Sequence, residues 1–308
     1  MRFKIIQFVF LCTVIVGYSQ QDSQYTQYMY NTININPAYA ASRDVMSIFT
    51  LHRAQWVGLE GSPSTSVISL SSPIKGSKLG IGVSLLNDRI GPSDENKFET
   101  DFSYTIKASE KFKLAFGLKA SIGFLNVDFS KLDQFNQGDF VFKDNIQNNF
   151  SPNVGAGIYV YSDNTYFGVS VPNILETKYY NKYADAGSVS TASKRSHIYL
   201  MAGKVFEFGS DVKFKPSVLT KIVGGSPLQI DISGNVLFSE VFTVGLAYRL
   251  DAAISAMAGF QISDSWFIGY GYDMSTNEIA SYSYGTHEVF LRFELFKRHS
   301  RIASPRFF

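Results

Sequence analysis

"VFTVGLAYR", residues 241–249, is written on a beat of two. Phe242, Val244, Leu246 and Tyr248 fall on one side; Thr243, Gly245, Ala247 and Arg249 fall on the other. An extended chain turns successive side chains to opposite faces, so this spacing predicts a strand with one apolar face and one small or polar face. The same beat runs through "SWFIGYGYD" (265–273) and "HEVFLRFEL" (287–295), and through 79–85, 98–106, 114–124, 154–160 and 228–236. Working outward gives fourteen segments, at about 44–53, 64–73, 78–87, 97–107, 112–126, 152–161, 164–171, 196–207, 212–221, 228–238, 241–249, 253–262, 265–273 and 286–296. Which face is apolar is ambiguous at 44–53, 64–73 and 196–207. Pro216 sits awkwardly in a closed sheet, because it removes a ladder hydrogen bond, and is expected at a bulge or a misplaced boundary.

The connections between these segments alternate in length. The linkers 74–77, 108–111, 162–164, 208–211, 239–240 and 263–264 are tight turns. Those between them, 54–63, 88–96, 127–151, 172–195, 222–227 and 274–285, are mostly longer, and only 250–252 is short. A soluble sandwich has no reason to sort its loops by parity, whereas an outer-membrane barrel has short periplasmic turns and long extracellular loops. The second phase of the strands carries Glu99, Asp101, Lys119, Lys213, Lys215, Asp231, Arg249, Arg292 and Glu294, a set suited to a lumen. Aromatics make up 15% of the chain, which suits a lipid-facing wall. The expected fold is an all-β, transmembrane, antiparallel up-and-down barrel of about 14 strands over residues 44–296. A charge at lipid-facing Leu246 should then be costly, and one at lumen-facing Thr243 much less so.

Ahead of the barrel, Arg2 and Lys4 precede a run from Ile5 to Val16 that is apolar but for Gln7 and Thr13. With Gly17 and Ser19 behind it, residues 1–19 are expected to be an export signal, cleaved near Gln20. The only cysteine, Cys12, leaves with that signal, so the mature chain is expected to hold no disulfide and no cysteine metal site. Residues 20–43 are expected to form a periplasmic N-terminal segment. Its Tyr25, Gln27, Tyr28, Tyr30 and Tyr39 could plug the barrel mouth, face a periplasmic partner, or simply cap the barrel. Residues 297–308 are expected to form a periplasmic tail.

Several functions find no support. A formal charge of +2 without long single-sign runs gives no footprint for nucleic acid. The four histidines, His52, His197, His287 and His299, have no metal-ligand spacing. "GIG" (80–82) and "GYGYD" (269–273) lack the Lys-Ser or Lys-Thr of a phosphate loop. No nucleophile motif is present, so the chain is expected to be non-enzymatic and to carry no cofactor.

Four stretches carry a resemblance: "QDSQYTQYMYNTININPAYAASRD" from Gln21, "LHRAQWVGLEGSPSTS" from Leu51, "NDRIGP" from Asn87 and "SPRFF" from Ser304. They are similar to the PorP/SprF family of outer-membrane proteins of type IX secretion and gliding. Ser23 and Ala41 stand where that family commonly has proline and glycine. The likeness is dense over residues 20–92 and rests on general barrel character beyond. It implies an integral outer-membrane protein, bathed in outer-membrane lipid, that works with a type IX cargo, often a surface adhesin. Other members are tied to periplasmic components of the secretion machine.

The expected function is docking or display of such a cargo at the cell surface. A pore or transporter for small solutes, and a structural link to periplasmic partners, are the alternatives. For docking, the candidate residues are His52, Arg53, Gln55 and Trp56 at the end of the first strand. They are joined by Phe135, Phe140 and Phe142 in one long loop and Tyr179, Tyr180 and Tyr183 in another. Arg and Trp are common interface anchors. A tryptophan at a barrel rim also serves as a plain anchor at the headgroup level, and that reading of Trp56 stays open.

Overall fold

Backbone groups in hydrocarbon have no water to bond, so a membrane sheet must pair on every edge. In the computed structural model, which describes residues 26–40, 42–132, 145–178 and 193–295, it does. The strands are β1 (Met46–Ala54), β2 (Ser64–Pro73), β3 (Leu79–Ile90), β4 (Ser93–Lys107), β5 (Lys113–Val127), β6 (Ile146–Tyr161) and β7 (Thr165–Val171), then a separate hairpin of β8 (Thr177–Lys178) and β9 (Ser193–Lys194). The wall resumes with β10 (His197–Lys204), β11 (Phe206–Phe208), β12 (Val212–Val223), β13 (Gln229–Phe238), β14 (Phe242–Arg249), β15 (Ala253–Gln261), β16 (Trp266–Ser275) and β17 (Thr286–Leu295). Neighbours pair antiparallel throughout, and β1 pairs with β17. β10 and β11 follow one another along the same side of β12, so the 15-stranded sheet is a closed wall fourteen strands round.

The two faces are as the alternation demands. On β14, Leu246 is 67% exposed to the outside and Thr243 is 0% exposed. Phe242, Tyr248, Trp266, Ile268, Tyr270 and Leu295 also point outward. Inside lie Glu99, Asp101, Lys119, Lys215, Asp231, Arg292 and Glu294, all buried, with Lys213 and Arg249 half-buried. Lys119 pairs with both Glu99 and Asp101, and Arg249 Nε lies 3.0 Å from Asp231. Thr243 corrects one expectation. It faces no water-filled lumen but a packed interior, so a charge there is not cheap.

Two boundaries differ from the sequence reading. The linker expected at 88–96 is instead strand: β3 runs to Ile90, β4 starts at Ser93, and Gly91 at φ +54° makes the turn. β6 likewise begins at Ile146 rather than near 152. Here the outward residues become polar, with Arg89 Nε 2.9 Å from Asp94 and Asn87 bonded to Asp94 and Asn96. Alternation of hydrophobicity therefore stops while pairing continues, and β3–β6 rise as a lip above an aromatic row that includes Phe98, Phe124 and Phe150. Pro216 lies within β12, in regular register with Gly234 of β13. On its other side the ladder lapses between β10 and β11 without a shift, since Gly203 faces Ser217 and Phe206 faces Phe214. The missing N–H is accommodated by a gap, not by a bulge.

The interior is filled by the chain's own beginning. From Thr26 to Arg43, apart from Ala41, which lies outside the described residues, the segment is buried but for half-buried Asn34. It winds through two short 3-10 turns, Thr32–Asn34 and Pro37–Tyr39. In the second, Pro37 opens the turn and the Asn36 side chain accepts the Ala38 N–H at 3.0 Å, satisfying a donor that the turn leaves free.

A charged group on the lipid face has no partner, so Leu246→Arg is expected to cost about 2–4 kcal/mol at this depth. Glu110→Arg, in an exposed turn, should stay within about 0.5 kcal/mol. Urea unfolding of the two variants in lipid vesicles measures both; equal costs would mean that Leu246 does not face hydrocarbon.

Candidate functional site: the plug, its clasp and the long-loop mouth

Arg53 falls on the inward phase of β1, directly opposite Glu288 of β17. Its Nη1 lies 2.9 Å from Glu288 Oε2, and its Nη2 lies 2.8 Å from Asp273 Oδ2 on β16. All three side chains are at most 4% exposed. The same carboxylates hold the start of the plug. Thr26 Oγ1 donates to Asp273 at 2.6 Å, and the Thr26 and Gln27 N–H groups donate to Glu288 at 3.3 and 3.1 Å. Arg53 Nη1 donates in turn to Thr26 Oγ1 at 3.2 Å. One guanidinium and two carboxylates thus bind the leading segment across the seam between the first and last strands.

Below this clasp the plug is packed against the wall from every side. Tyr30 lies 4.7 Å from the Phe290 ring and 5.5 Å from Phe267, with the Arg292 guanidinium 5.8 Å over its own ring. Tyr39 meets Tyr159 edge-on at 5.5 Å. Met29, Ile33, Ile35 and Ala38 join Phe49, Leu51, Val67, Met201 and Leu219 of the wall in one apolar cluster. Wall side chains also bond the plug's polar groups: Ser69 takes the Asn31 amide, Ser103 donates to Ala40 O at 2.6 Å, and Ser170 donates to Ile35 O at 2.5 Å. At Gly117 and Gly157 a methyl group would overlap Ala38 N and Asn36 Oδ1 respectively, so glycine there gives the plug its room. Arg43 pairs with Glu294 at the short-turn end of β17.

The expected site residues therefore part company. Gln27, Tyr28, Tyr30 and Tyr39 are all in the interior, at most 7% exposed. Of the roles left open for their segment, which was expected on the periplasmic side as a plug, a partner surface or a cap, the burial fits a plug, threaded through the barrel rather than confined to one mouth. Arg53 was expected on a partner-binding surface, and that is corrected: it is 2% exposed and committed to the clasp. His52, its neighbour, points to the outer face, with Nδ1 3.0 Å from Ser66 Oγ. Gln55 and Trp56 are half-buried above them, where Gln55 N donates to Pro63 O and Trp56 N donates to Thr286 Oγ1. Tyr25, Phe135, Phe140, Phe142, Tyr179, Tyr180 and Tyr183 lie outside the described residues.

The loop carrying Trp56 rests on the loop at 276–285. Val57 N donates to Gly285 O at 2.9 Å, and Tyr284 N donates to Val57 O at 2.8 Å. The Tyr284 ring lies over Gly58, whose φ is +100°. Tyr282 and Tyr284 stand out at 72% and 79% exposed, the most exposed large apolar side chains among the described residues. Sequence reasoning passed them over, although "SYSYG" in a polar loop was a usable signal.

Residues 17–293 match the family described as "Type IX secretion system membrane protein PorP/SprF". Among curated proteins nothing matches. Among solved structures, the toluene transporter TbuX of Ralstonia pickettii is similar at a TM-score of 0.52 and 9% identity, over 87% of this chain and 92% of that one. The CymD monoaromatic hydrocarbon channel is similar at 0.50 and 12%, over 92% and 97%. At such identities the likeness is one of fold.

Removing one member of a buried ion pair strands its partners, so Arg53→Met is expected to lose about 3–5 kcal/mol. Adding Glu288→Gln should recover part of that loss, while Arg89→Ala at the exposed lip costs under about 1 kcal/mol. Denaturant midpoints and the gel shift between heated and unheated samples report the outcome. An unchanged midpoint for Arg53→Met would remove the clasp from any account of stability.

Proposed function

The chain belongs to the type IX secretion system membrane protein PorP/SprF family, and from that premise we propose that it docks a secreted cargo, such as a surface adhesin, at the cell surface or helps to display it there. The barrel is an outer-membrane barrel of secretion, a family and fold that are not those of enzymes. Residues 1–19 as the export signal belong to the same proposal. The observation that carries it is the filled interior. With the plug seated against strands all round the wall, a solute pathway has little support, and the rims are left to meet partners. Of these, the long-loop rim presents Tyr282 and Tyr284 on a base braced by two loops. Exposed aromatics on a fixed backbone lose little entropy on binding and suit a protein contact.

A second reading, contact with a periplasmic component of the machine, is favoured by a cleft at the other mouth. It has a volume of about 820 Å³ and is lined by Lys78, Lys107, Lys111 and Lys113 beside Asp44 and Asp163.

The joint change Tyr282→Ser, Tyr284→Ser should weaken cargo retention by about 2 kcal/mol or more, roughly 30-fold in affinity. Barrel abundance and gel shift should stay unchanged. The purified wild-type barrel should pass no large steady current in a planar bilayer. Retention that survives the double change but is lost with Lys111→Glu and Lys78→Glu would transfer the function to the periplasmic face; large open currents would restore the pore.

A further inference from the structure

The short-turn mouth is charged unevenly round its circuit. Lys78, Lys107 and Lys113 take the inward phase at the ends of β3, β4 and β5, three neighbouring strands. Lys107 faces Lys113 directly across the β4–β5 ladder, and Lys78 O accepts from Thr105 N at 2.9 Å, so its backbone continues the β3–β4 ladder. Like charges set opposite one another cost a sheet stability, yet here three stand side by side. With Lys111 in the turn they line the cleft of about 820 Å³, where Ile106 and Phe112 add apolar surface. Asp44 answers Lys113 at 3.4 Å, and Glu110 and Asp163 are the other acids of the lining. Among the described residues no carboxylate pairs with Lys78, Lys107 or Lys111. Half a circuit away the sign reverses. β14 lies seven strands from β4 in either direction round the wall. The turns about it expose Glu207, Asp211, Glu240 and Asp264, with Lys204 and Lys213 as the lysines among them.

We propose that the cleft takes an extended acidic segment of a periplasmic protein, its carboxylates set against Lys78, Lys107 and Lys111. This rests on the periplasmic reading and names the chemistry of the partner. Neighbouring strands lie about 4.8 Å apart, so the row of lysine-bearing strand ends spans about 10 Å. Side chains on one face of an extended chain recur about every 7 Å, so two or three carboxylates of one segment reach that row together. A single phosphate would engage one or two of the lysines and leave the others unanswered. The acidic turns opposite repel such a segment from the rest of the mouth and so confine it to the cleft.

The full barrel in phosphatidylcholine nanodiscs is titrated with a fluorescein-labelled peptide of repeated Glu-Ser, read by anisotropy. Lys78→Glu with Lys107→Glu should weaken binding about tenfold or more. Arg89→Glu with Lys131→Glu, an equal change of charge among exposed side chains at the long-loop end, should leave it unchanged. Equal losses from the two pairs, or no binding to the wild type, overturn the proposal. So does binding that phosphatidylglycerol in the disc abolishes, which would assign the cleft to a lipid headgroup. Lys107→Glu alone sets opposite charges across the ladder from Lys113, so the denaturant midpoint should hold or rise while binding weakens. A lowered midpoint would make the lysines part of the wall's own stability and overturn the docking role. In cells, a photo-crosslinker replacing Lys75, in the turn beside the cleft, should capture a periplasmic protein and lose it when Lys78→Glu and Lys107→Glu are added. Capture that survives those changes overturns the acidic segment and leaves the periplasmic reading standing. Peptide binding with no capture in cells removes that reading and the partner with it.

Discussion

A guanidinium inside a membrane protein is tolerable only when its charge is answered at once, and Arg53 is answered twice, by Asp273 and Glu288. Those three side chains come from the first strand of the wall and the last two. The backbone and hydroxyl of Thr26 and the N–H of Gln27 complete the coordination of the two carboxylates. Closing the sheet and seating the plug are consequently one event at this point. The seam shuts where the plug is tied, and the plug is tied by the residues that shut the seam. Phe49 and Phe290, stacked at 5.4 Å across the same seam, continue the joint downward with Tyr30 laid against Phe290.

The barrel was legible in the sequence because lipid enforces alternation. Leu246 against Thr243, or Leu295 against Glu294, could hardly be read otherwise. Legibility failed where something other than lipid and water faced the strand. The phase was ambiguous at the first two strands and at β10, and these supply Phe49, Leu51, Val67, Tyr199 and Met201 to the apolar cluster around the plug. Their inner face is apolar because it packs on protein, so both faces read alike. The lip was missed for the opposite reason, since Arg89, Asp94 and Asn96 are outward yet polar. Tyr28, Tyr30 and Tyr39 announced a segment with rings to bury. Its direction had no signal, because irregular chain has no period. Arg53 was misplaced with its neighbours: "HRAQW" reads as one patch, but in a strand adjacent residues look opposite ways.

Within the membrane this molecule has what a water-soluble protein has, a packed core, turned outside in. Aromatic stacking, buried ion pairs and serine hydroxyls bonded to plug carbonyls do inside the wall what lipid-facing leucines cannot. Fourteen strands enclose more volume than their own side chains fill, and the leading segment supplies the difference. A solved transporter and a solved channel share the architecture, which is a statement about walls and not about traffic. With the interior spent on packing, variety of function is left to the rims, where the paired loops bearing Trp56 and Tyr284 differ in character from the lysine-lined cleft opposite.

The contact from Thr26 to Glu288 spans 262 positions of the chain. Contacts so distant in sequence form late, because the loop they close is long and its entropy must be lost first. The leading segment is synthesised ahead of the whole wall, yet its partners on β16 and β17 come last among the strands. A chain that stops short of β17 could build most of a wall, but it would have no Glu288 for Thr26 and Gln27, no Glu294 for Arg43, and no neighbour for the free edge of β1. A wall that has its last strand is thus told from one that lacks it at a single place, by whether the plug and β17 have met.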